Sequence, residues 1–354
     1  MASSYLVLVN NVLRDMNEVE LTSSTFATSR GVQTTVKDYI NRSISDILNS
    51  ELNWPFTHAE GSIDVIAGKS LYSYQSIAST LKYVDYDNMI LQPKNFIQNG
   101  DFEIAGAASI TNWTTVGGSP AASSKFGNTL LLTSAEASQE VNDLIVGRSY
   151  TVLTQTSGAT LTLEIGTSSG GSQTKSATLT ISSGNEILLT ETTFTATATT
   201  HYVSFTEAAG AAAFVKLVEL SESATSIALK YLSYEEYTER YRERDSRPDV
   251  DKFGDPEYVY TTYNDEIGLT PIPDTSNRSL KFDYYVASSA LSAATDTSII
   301  PERFEPVINA RSKYYTYMFR SDTQTAQFAL KEYEDGLKRM RVELLNRKNY
   351  MRAV

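Results

Sequence analysis

The sequence contains no cysteine and only two histidines, His58 and His201, among 354 residues. The absence of cysteine excludes disulfides, thiolate metal sites and cysteine nucleophiles. Histidine is the commonest general base near neutral pH, and no Ser-His-Asp constellation can be assembled around either residue. The sequence also lacks a Walker loop, a dinucleotide-binding fingerprint and an HExxH motif. We therefore expect a protein that is not an enzyme and has no catalytic residues, cofactor site or metal site.

Long apolar runs are absent as well. No stretch of about 18 apolar residues occurs, and residues 1–10 lack the basic and apolar segments of a signal peptide. We expect neither secretion by a cleaved signal nor membrane insertion. The net charge of −12 argues against a surface that binds nucleic acid as a whole, but it leaves room for a local basic patch.

The most prominent feature of the sequence is a stretch of different composition from about residue 95 to about residue 222. This stretch is rich in Thr, Ser, Gly and Ala, and two similar phrases, LKYVDYD at 81–87 and LKYLSYE at 229–235, flank it. Its short, evenly spaced apolar alternations are typical of a β-sandwich or jelly roll. It holds eleven acidic and four basic residues, a net charge of −7. The sequence therefore predicts an inserted, acidic β-sandwich domain over residues 93–224.

Outside the insert, helical periodicity dominates. Apolar residues at helical spacing predict amphipathic helices near both ends of the chain, including a last helix with a stripe from Ala326 to Leu344. Short alternations over 62–86 and 258–286 predict a small antiparallel sheet. The predicted fold class is α+β: a helical domain of residues 1–92 plus 225–354 with a small antiparallel sheet, interrupted by the all-β insert.

A basic cluster near the C-terminus is a candidate binding site. Residues 338–354 contain six bases against Glu343 alone: Lys338, Arg339, Arg341, Arg347, Lys348 and Arg352. Clustered bases create a local positive field whatever the net charge, so this segment is predicted to bind an acidic partner or passing nucleic acid. The alternative interpretation is a solvated helix end.

Three aromatic residues of the insert, Trp113, Tyr150 and Tyr202, form a second candidate site. An aromatic face can cover the apolar side of a sugar ring, which makes these residues a candidate glycan platform. The alternative interpretation is that they belong to the core of the sandwich.

Several segments of the helical domain resemble virion proteins of tailed phages. They are NEVEL at 17–21, FATSRG at 26–31, ELNWPF at 51–56, IPERFEPVI at 300–308 and NRKNYMR at 346–352. The domain is similar to the head-to-tail adaptor of short-tailed phages, the tail tubular protein A class, over about 1–90 and 225–354. The insert resembles carbohydrate-binding-like jelly rolls at NGDFE (99–103), NW (112–113) and GRSYTV (147–152).

The adaptor resemblance implies a structural virion protein of the phage tail, assembled in the host cytoplasm. Its helical domain would form a homo-oligomeric ring of twelve subunits that joins the portal protein to the tail nozzle protein around a channel for genomic DNA. Short members of that class lack the insert, which we expect to project outward and dock tail fibres or other virion proteins. The alternative function is a tail protein that binds host glycans through the insert. The resemblance leaves open whether the basic cluster contacts protein or DNA.

Overall fold

A computed structural model describes residues 3–102, 112–116, 119–123, 127–180 and 187–345. By its internal contacts the chain divides into two compact units. Unit 1 comprises Met1–Gly61, Ser73–Tyr86 and Phe282–Val354, and unit 2 comprises Ser62–Tyr72 and Asp87–Lys281. The domain boundaries at residues 93 and 224 stay a prediction.

Seven α-helices occur in the described ranges: α1 (Tyr5–Asp15), α2 (Val32–Asn49), α3 (Tyr74–Ile77), α4 (Tyr234–Arg240), α5 (Arg242–Ser246), α6 (Glu305–Phe319) and α7 (Thr323–Leu344). The strands of the same ranges are β1 (His58–Asp64), β2 (Leu71–Ser73), β3 (Leu81–Pro93), β4 (Thr114–Val116), β5 (Ser119–Ser123), β6 (Gly127–Leu132), β7 (Ala135–Val141), β8 (Ser149–Gly158), β9 (Leu161–Gly166), β10 (Lys175–Leu179), β11 (Leu188–Thr195), β12 (His201–Glu207), β13 (Ala213–Glu222), β14 (Ile227–Ala228), β15 (Lys230–Leu232), β16 (Tyr258–Thr261), β17 (Glu266–Thr270) and β18 (Arg278–Val286).

The helices of unit 1 follow the apolar periodicity of the sequence. The Ser4 side chain caps α1 by accepting a hydrogen bond from the Val7 amide. The stripes of α1, α2, α6 and α7 meet in one apolar core, whose members include Leu8, Val12, Ile40, Ile47, Ile308, Leu337 and Met340. Burial of these stripes stabilises the helices more than intrinsic helix propensity does.

The predicted α+β fold class, a helical domain with one small antiparallel sheet interrupted by an all-β insert, is wrong. The structure is mostly β and has four sheets, and two four-stranded sheets are built largely from segments outside 93–224. Their strand orders are β1-β18-β3-β14 and β15-β16-β17-β2. β3 extends over 13 residues, and its side chains are buried at only three positions. A strand with polar residues on both faces gives little alternation, which is why the sequence understated these sheets.

The β-sandwich of unit 2 has two five-stranded antiparallel sheets, with strand orders β10-β9-β12-β7-β4 and β11-β8-β13-β6-β5. Alternate residues point inward, as along β8, where Tyr150 and Val152 are buried and their neighbours are not. The inward side chains of both sheets form one apolar core, which includes Leu130, Leu163, Phe205, Val215 and Leu220.

Both ends of the sandwich segment are bound to one buried residue, Asn277. The Lys94 amide donates to the Asn277 carbonyl at 2.8 Å, and the Asn277 side-chain amide donates to Glu222 Oε2 at 2.8 Å. Glu222 also accepts a hydrogen bond from Arg148 at 2.7 Å. The chain therefore enters the sandwich at Lys94 and leaves it at Glu222 beside the same residue.

Candidate functional site

Helix α7 carries the described part of the predicted basic cluster. Its N-terminus is capped by Asp322, whose carboxylate accepts from the Thr325 amide. Hydrogen bonds from the Thr325 side chain and then from its amide lower the pKa of the Asp322 carboxyl. The helix buries Ala326, Tyr333, Leu337 and Met340 and leaves the opposite face to solvent. Three of the six predicted bases, Lys338, Arg339 and Arg341, lie in the last two turns of this helix. Arg347, Lys348 and Arg352 lie outside the described residues.

The three described bases have different surroundings. Lys338 and Arg339 are exposed, and Lys338 lies 3.6 Å from the exposed carboxylate of Asp335. Exposed pairs of this kind contribute little free energy. Arg341 is half-buried and donates from Nε to Glu51 Oε1 at 2.6 Å. The structure therefore leaves Lys338 and Arg339 available to a partner and engages Arg341 within the chain.

A shallow groove lies beside Arg339, between the start of α6 and the middle of α7. It has a volume of about 290 Å³ and is lined by Arg303, Phe304, Pro306, Val307, Glu332, Asp335, Gly336 and Arg339. Acidic and basic side chains share its walls, and Arg303 pairs with Glu343 at 3.1 Å. The described end of the helix thus presents mixed charge rather than a purely basic surface.

The three aromatic residues of the predicted glycan platform are not brought together on the surface. Trp113 is 6% exposed and packs against the rings of Phe102 and Phe205. Tyr150 is fully buried, and its hydroxyl accepts from the Ile145 amide. Both residues belong to the apolar core, as the alternative interpretation had it. Tyr202 alone is half-exposed, and its hydroxyl donates to Glu140 at 2.7 Å.

A polar cleft that the sequence did not reveal lies in unit 2, and we call it the amide cleft. It has a volume of about 430 Å³ and is lined by Asp64, Lys94, Asn95, Phe96, Gln98, Asn112, Thr114, Gln139, Glu140, Asn142 and Asp143. Five of these eleven side chains are amides. The sequence signal for this cleft was the shared amide chemistry of the five residues, but they come from three separate stretches of the chain.

Hydrogen bonds to the backbone fix one wall of the amide cleft. Gln139 is 5% exposed; its Nε2 donates to the carbonyls of Gln98 (2.8 Å) and Asn112 (3.0 Å), and its Oε1 accepts from the Gln98 amide at 2.8 Å. Asn95 Oδ1 accepts from the amides of Ile97 and Leu220. These bonds satisfy buried polar groups and hold the segments that carry Gln98 and Asn112 in place.

The electrostatics of the amide cleft are dominated by carboxylates. The hydrogen bond from Tyr202, followed by that from Asn142, lowers the pKa of Glu140, and the bond to Glu140 raises the pKa of Tyr202. Lys94 is 2.9 Å from Asp64, so the positive charge in the lining is paired. No group of three or more His, Asp and Glu in the described ranges is arranged to hold a metal ion. None of the described helices combines the length and apolar character needed to cross a membrane.

Comparison with known proteins gives one family and several distant structures. No curated protein matches the sequence. Among solved structures, TmCBM61 in complex with β-1,4-galactotriose is 18% identical, with 37% of this chain and 99% of that chain covered and a TM-score of 0.30. Tailspike protein 4 of bacteriophage CBA120 is 15% identical over 36% of this chain and 21% of that chain, with a TM-score of 0.29. The CBM22-1 xylan-binding domain of Paenibacillus barcinonensis Xyn10C is 9% identical over 38% and 97%, with a TM-score of 0.27.

The family model described as SU10 adaptor protein matches residues 176–354. This match covers just over half of the chain and includes strands β11 to β18 and helices α4 to α7. The coarser part of the sequence-based resemblance, a phage adaptor, is confirmed. The chain belongs to the SU10 adaptor protein family and is thus a structural phage adaptor, a component of the virion.

Proposed function

We propose that this phage adaptor acts at the head-to-tail junction, in the manner of the tail tubular protein A class. In this proposal twelve copies form a ring that joins the portal protein to the tail nozzle protein around the channel for genomic DNA. The observation that carries the proposal is the adaptor-family match over residues 176–354. The proposal assigns no enzymatic activity to the chain.

The exposed end of the α6–α7 pair is consistent with a role in assembly. Met318, Phe319 and Phe328 are 43%, 58% and 69% exposed at the end of α6 and the start of α7. Contiguous apolar patches on a protein surface often mark sites of interaction with another protein, and we propose that these three side chains form such a patch. On the same helix Lys338 and Arg339 offer positive charge to an acidic partner, either portal protein or DNA.

For the sandwich we propose docking of tail fibres or other virion proteins. Its acidic composition, eleven acids against four bases between residues 95 and 222, favours a basic partner surface. The alternative, host-glycan binding through the sandwich, is not supported by the three-ring platform, because the faces of Trp113 and Tyr150 are covered in the core.

Assembly with the portal protein tests the adaptor proposal. The purified chain, alone and mixed with the portal protein of the same phage, is measured by native mass spectrometry and by electron microscopy. We expect a cyclic oligomer of twelve copies, or its formation once portal is present. A monomer that never joins portal contradicts the proposal.

A charge-reversal pair tests the part assigned to α7. Lys338→Glu combined with Arg339→Glu should weaken portal or DNA association, because both side chains face solvent. Lys331→Glu is the matched control, since Lys331 is an exposed lysine on the same helix outside the basic cluster. Equal behaviour of the double variant and the control would remove Lys338 and Arg339 from the interface.

A further inference from the structure

A tyrosine with an exposed ring lies at the turn between β16 and β17, outside the two sheets of the sandwich. Tyr263 is 79% exposed, and its ring contacts that of Tyr234 edge-on, with 4.9 Å between the ring centroids. Tyr234 begins α4, and the next turn of this helix stacks Tyr237 on the buried ring of Tyr260 at 3.7 Å. We call the two stretches that carry these rings to the surface, 231–239 and 261–266, the tyrosine surface.

Hydrogen bonds hold the tyrosine surface in place. The Thr262 amide donates to the Glu266 carbonyl at 3.1 Å. The Asn264 amide donates to the Thr262 hydroxyl at 3.2 Å, so the turn that carries Tyr263 is fixed. A capping box fixes the start of α4, where Tyr234 lies. A partner therefore meets rings that are already ordered, and binding costs little conformational entropy of this chain.

The tyrosine surface is acidic. Its two stretches, which the pairing of β15 with β16 brings together, contain five acids and no base. With the flanking Lys230 and Arg240 included there are five acids against two bases, a balance of −3. Glu235, Glu239 and Asp265 are exposed and make no ion pair within the described residues. The surface therefore favours a cationic group and repels phosphate.

Elsewhere the chain combines a tyrosine ring and a carboxylate with an arginine. In unit 1 the Arg311 guanidinium lies 4.7 Å from the centre of the Tyr315 ring and donates to Asp46 at 2.8 Å. A second such combination, in unit 2, consists of Arg244, Tyr241 and Asp245. A guanidinium suits both neighbours, because it stacks on the ring and donates to the carboxylate. At Tyr263 the ring and the carboxylates are present, and no arginine of the described residues lies over the ring.

We propose that the tyrosine surface binds an arginine-bearing segment of a different virion protein. One guanidinium lies over the exposed face of Tyr263 and pairs with a neighbouring carboxylate, Glu235 or Asp265. Arginine is favoured over lysine because its planar group stacks on a ring and is more weakly hydrated. A second copy of this chain is a poor match for an acidic surface, since its net charge is −12.

The tyrosine surface lies within unit 2 of one chain, so it does not depend on ring assembly. A chain that assembles with portal but binds no arginine peptide contradicts only the tyrosine surface. A chain that binds the arginine peptide as a monomer and never joins portal contradicts only the adaptor proposal.

Fluorescence anisotropy with the full-length chain tests the tyrosine surface. The probe is a labelled peptide of arginines spaced by glycines, and its counterparts carry lysine or uncharged citrulline in place of arginine. We expect the arginine peptide to bind about threefold more tightly than the lysine peptide and at least about tenfold more tightly than the citrulline peptide. Equal binding of the arginine and lysine peptides, or no binding of the arginine peptide at up to about 1 mM protein, overturns the proposal. Displacement of the peptide by single-stranded DNA of about 20 nucleotides also overturns it.

Variants locate the binding on the tyrosine surface. Tyr263→Ala should weaken the association about fivefold, whereas Tyr263→Phe keeps the ring and should stay within about twofold of the parent. Glu235→Gln combined with Asp265→Asn should weaken it about fivefold, and asparagine tolerates the left-handed backbone of residue 265 at φ 55°. The matched control is Glu191→Gln combined with Glu219→Gln, which removes the same charge from two exposed positions of the sandwich and should leave the affinity unchanged.

The substituted side chains are exposed, so each variant should unfold at the temperature of the parent. Equal affinities of Tyr263→Ala and the control variant, with unfolding temperatures like that of the parent, overturn the assignment. Self-association of the parent that is lost in Tyr263→Ala places a second copy on the surface and overturns the choice of a different protein.

Discussion

Replacing Arg341 by glutamine should destabilise unit 1, although the sequence presents this residue as one of six equivalent bases. Its guanidinium donates to Glu51 at 2.6 Å and reaches the Ser50 carbonyl at 3.5 Å, and these contacts connect the end of α7 to the segment that follows α2. The Arg341→Gln variant removes the charge and leaves the Glu51 carboxylate without its partner. The cost then depends on how far that pair is removed from water.

The magnitude follows from burial. An exposed ion pair contributes about 0.2–1 kcal/mol, whereas breaking a fully buried pair costs about 3–5 kcal/mol. The side chains of Arg341 and Glu51 are 27% and 28% exposed, which places the pair between these limits. We expect Arg341→Gln to lower the free energy of unfolding by about 1–2 kcal/mol. For a domain of this size the corresponding fall in unfolding temperature is about 3–6 °C.

The assay is thermal unfolding followed by circular dichroism at the helical band, with Lys338→Gln and Arg339→Gln as controls. Both control side chains face solvent, so each change should stay within about 0.5 kcal/mol. A double-mutant cycle with Glu51→Gln isolates the pair and should give a coupling energy of about 1 kcal/mol. A coupling near zero, or equal losses in all three single variants, would refute the assignment of Arg341 to an intrachain role.

Two further predictions concern buried positions. Burial lowers the pKa of His201 in the folded sandwich. Below pH about 6.5 the imidazole therefore takes up a proton in the unfolded chain but not in the folded one. The free energy of unfolding is unaffected by this residue above pH about 6.5 and falls as the pH drops below that value. Urea midpoints at pH 7.5 and 5 should differ less in His201→Phe than in the parent, and an unchanged difference would contradict this. In α7, a Cβ on Gly336 would lie 2.8 Å from Val307 Cγ2, so Gly336→Ala should cost about 1 kcal/mol net of the gain in helix propensity. In a Val307→Ala background, which is itself less stable because Val307 is buried, this added cost of Gly336→Ala should disappear. A Gly336→Ala variant more stable than the parent would show that α6 yields at this contact.

The helices were predictable because their core contacts repeat along one face. α2 and α7 each present apolar residues at spacings of three and four, and those residues are the ones that become buried. The helical spacing of the buried residues also distinguishes Arg341 from the exposed bases Lys338 and Arg339. Arg341 lies four residues after Leu337 and one after Met340, at the border of the buried stripe, whereas a count of charges treats all six bases alike.

The two four-stranded sheets and the amide cleft were not predictable for a different reason. β3 has polar residues on both of its faces, so the period of two is lost in its sequence. The cleft depends on contacts between residues far apart in the chain: Gln139 and Gln98 are 41 positions apart. These amides reach one wall only in the folded chain, where Gln139 of β7 is bound to the backbone of Gln98.

Asn277 holds both ends of the sandwich segment. The backbone enters at Lys94 and leaves at Glu222, and both ends are bound to this one buried asparagine. The sandwich segment is therefore tied at a single point of the chain, by the Asn277 backbone at Lys94 and by the Asn277 side chain at Glu222.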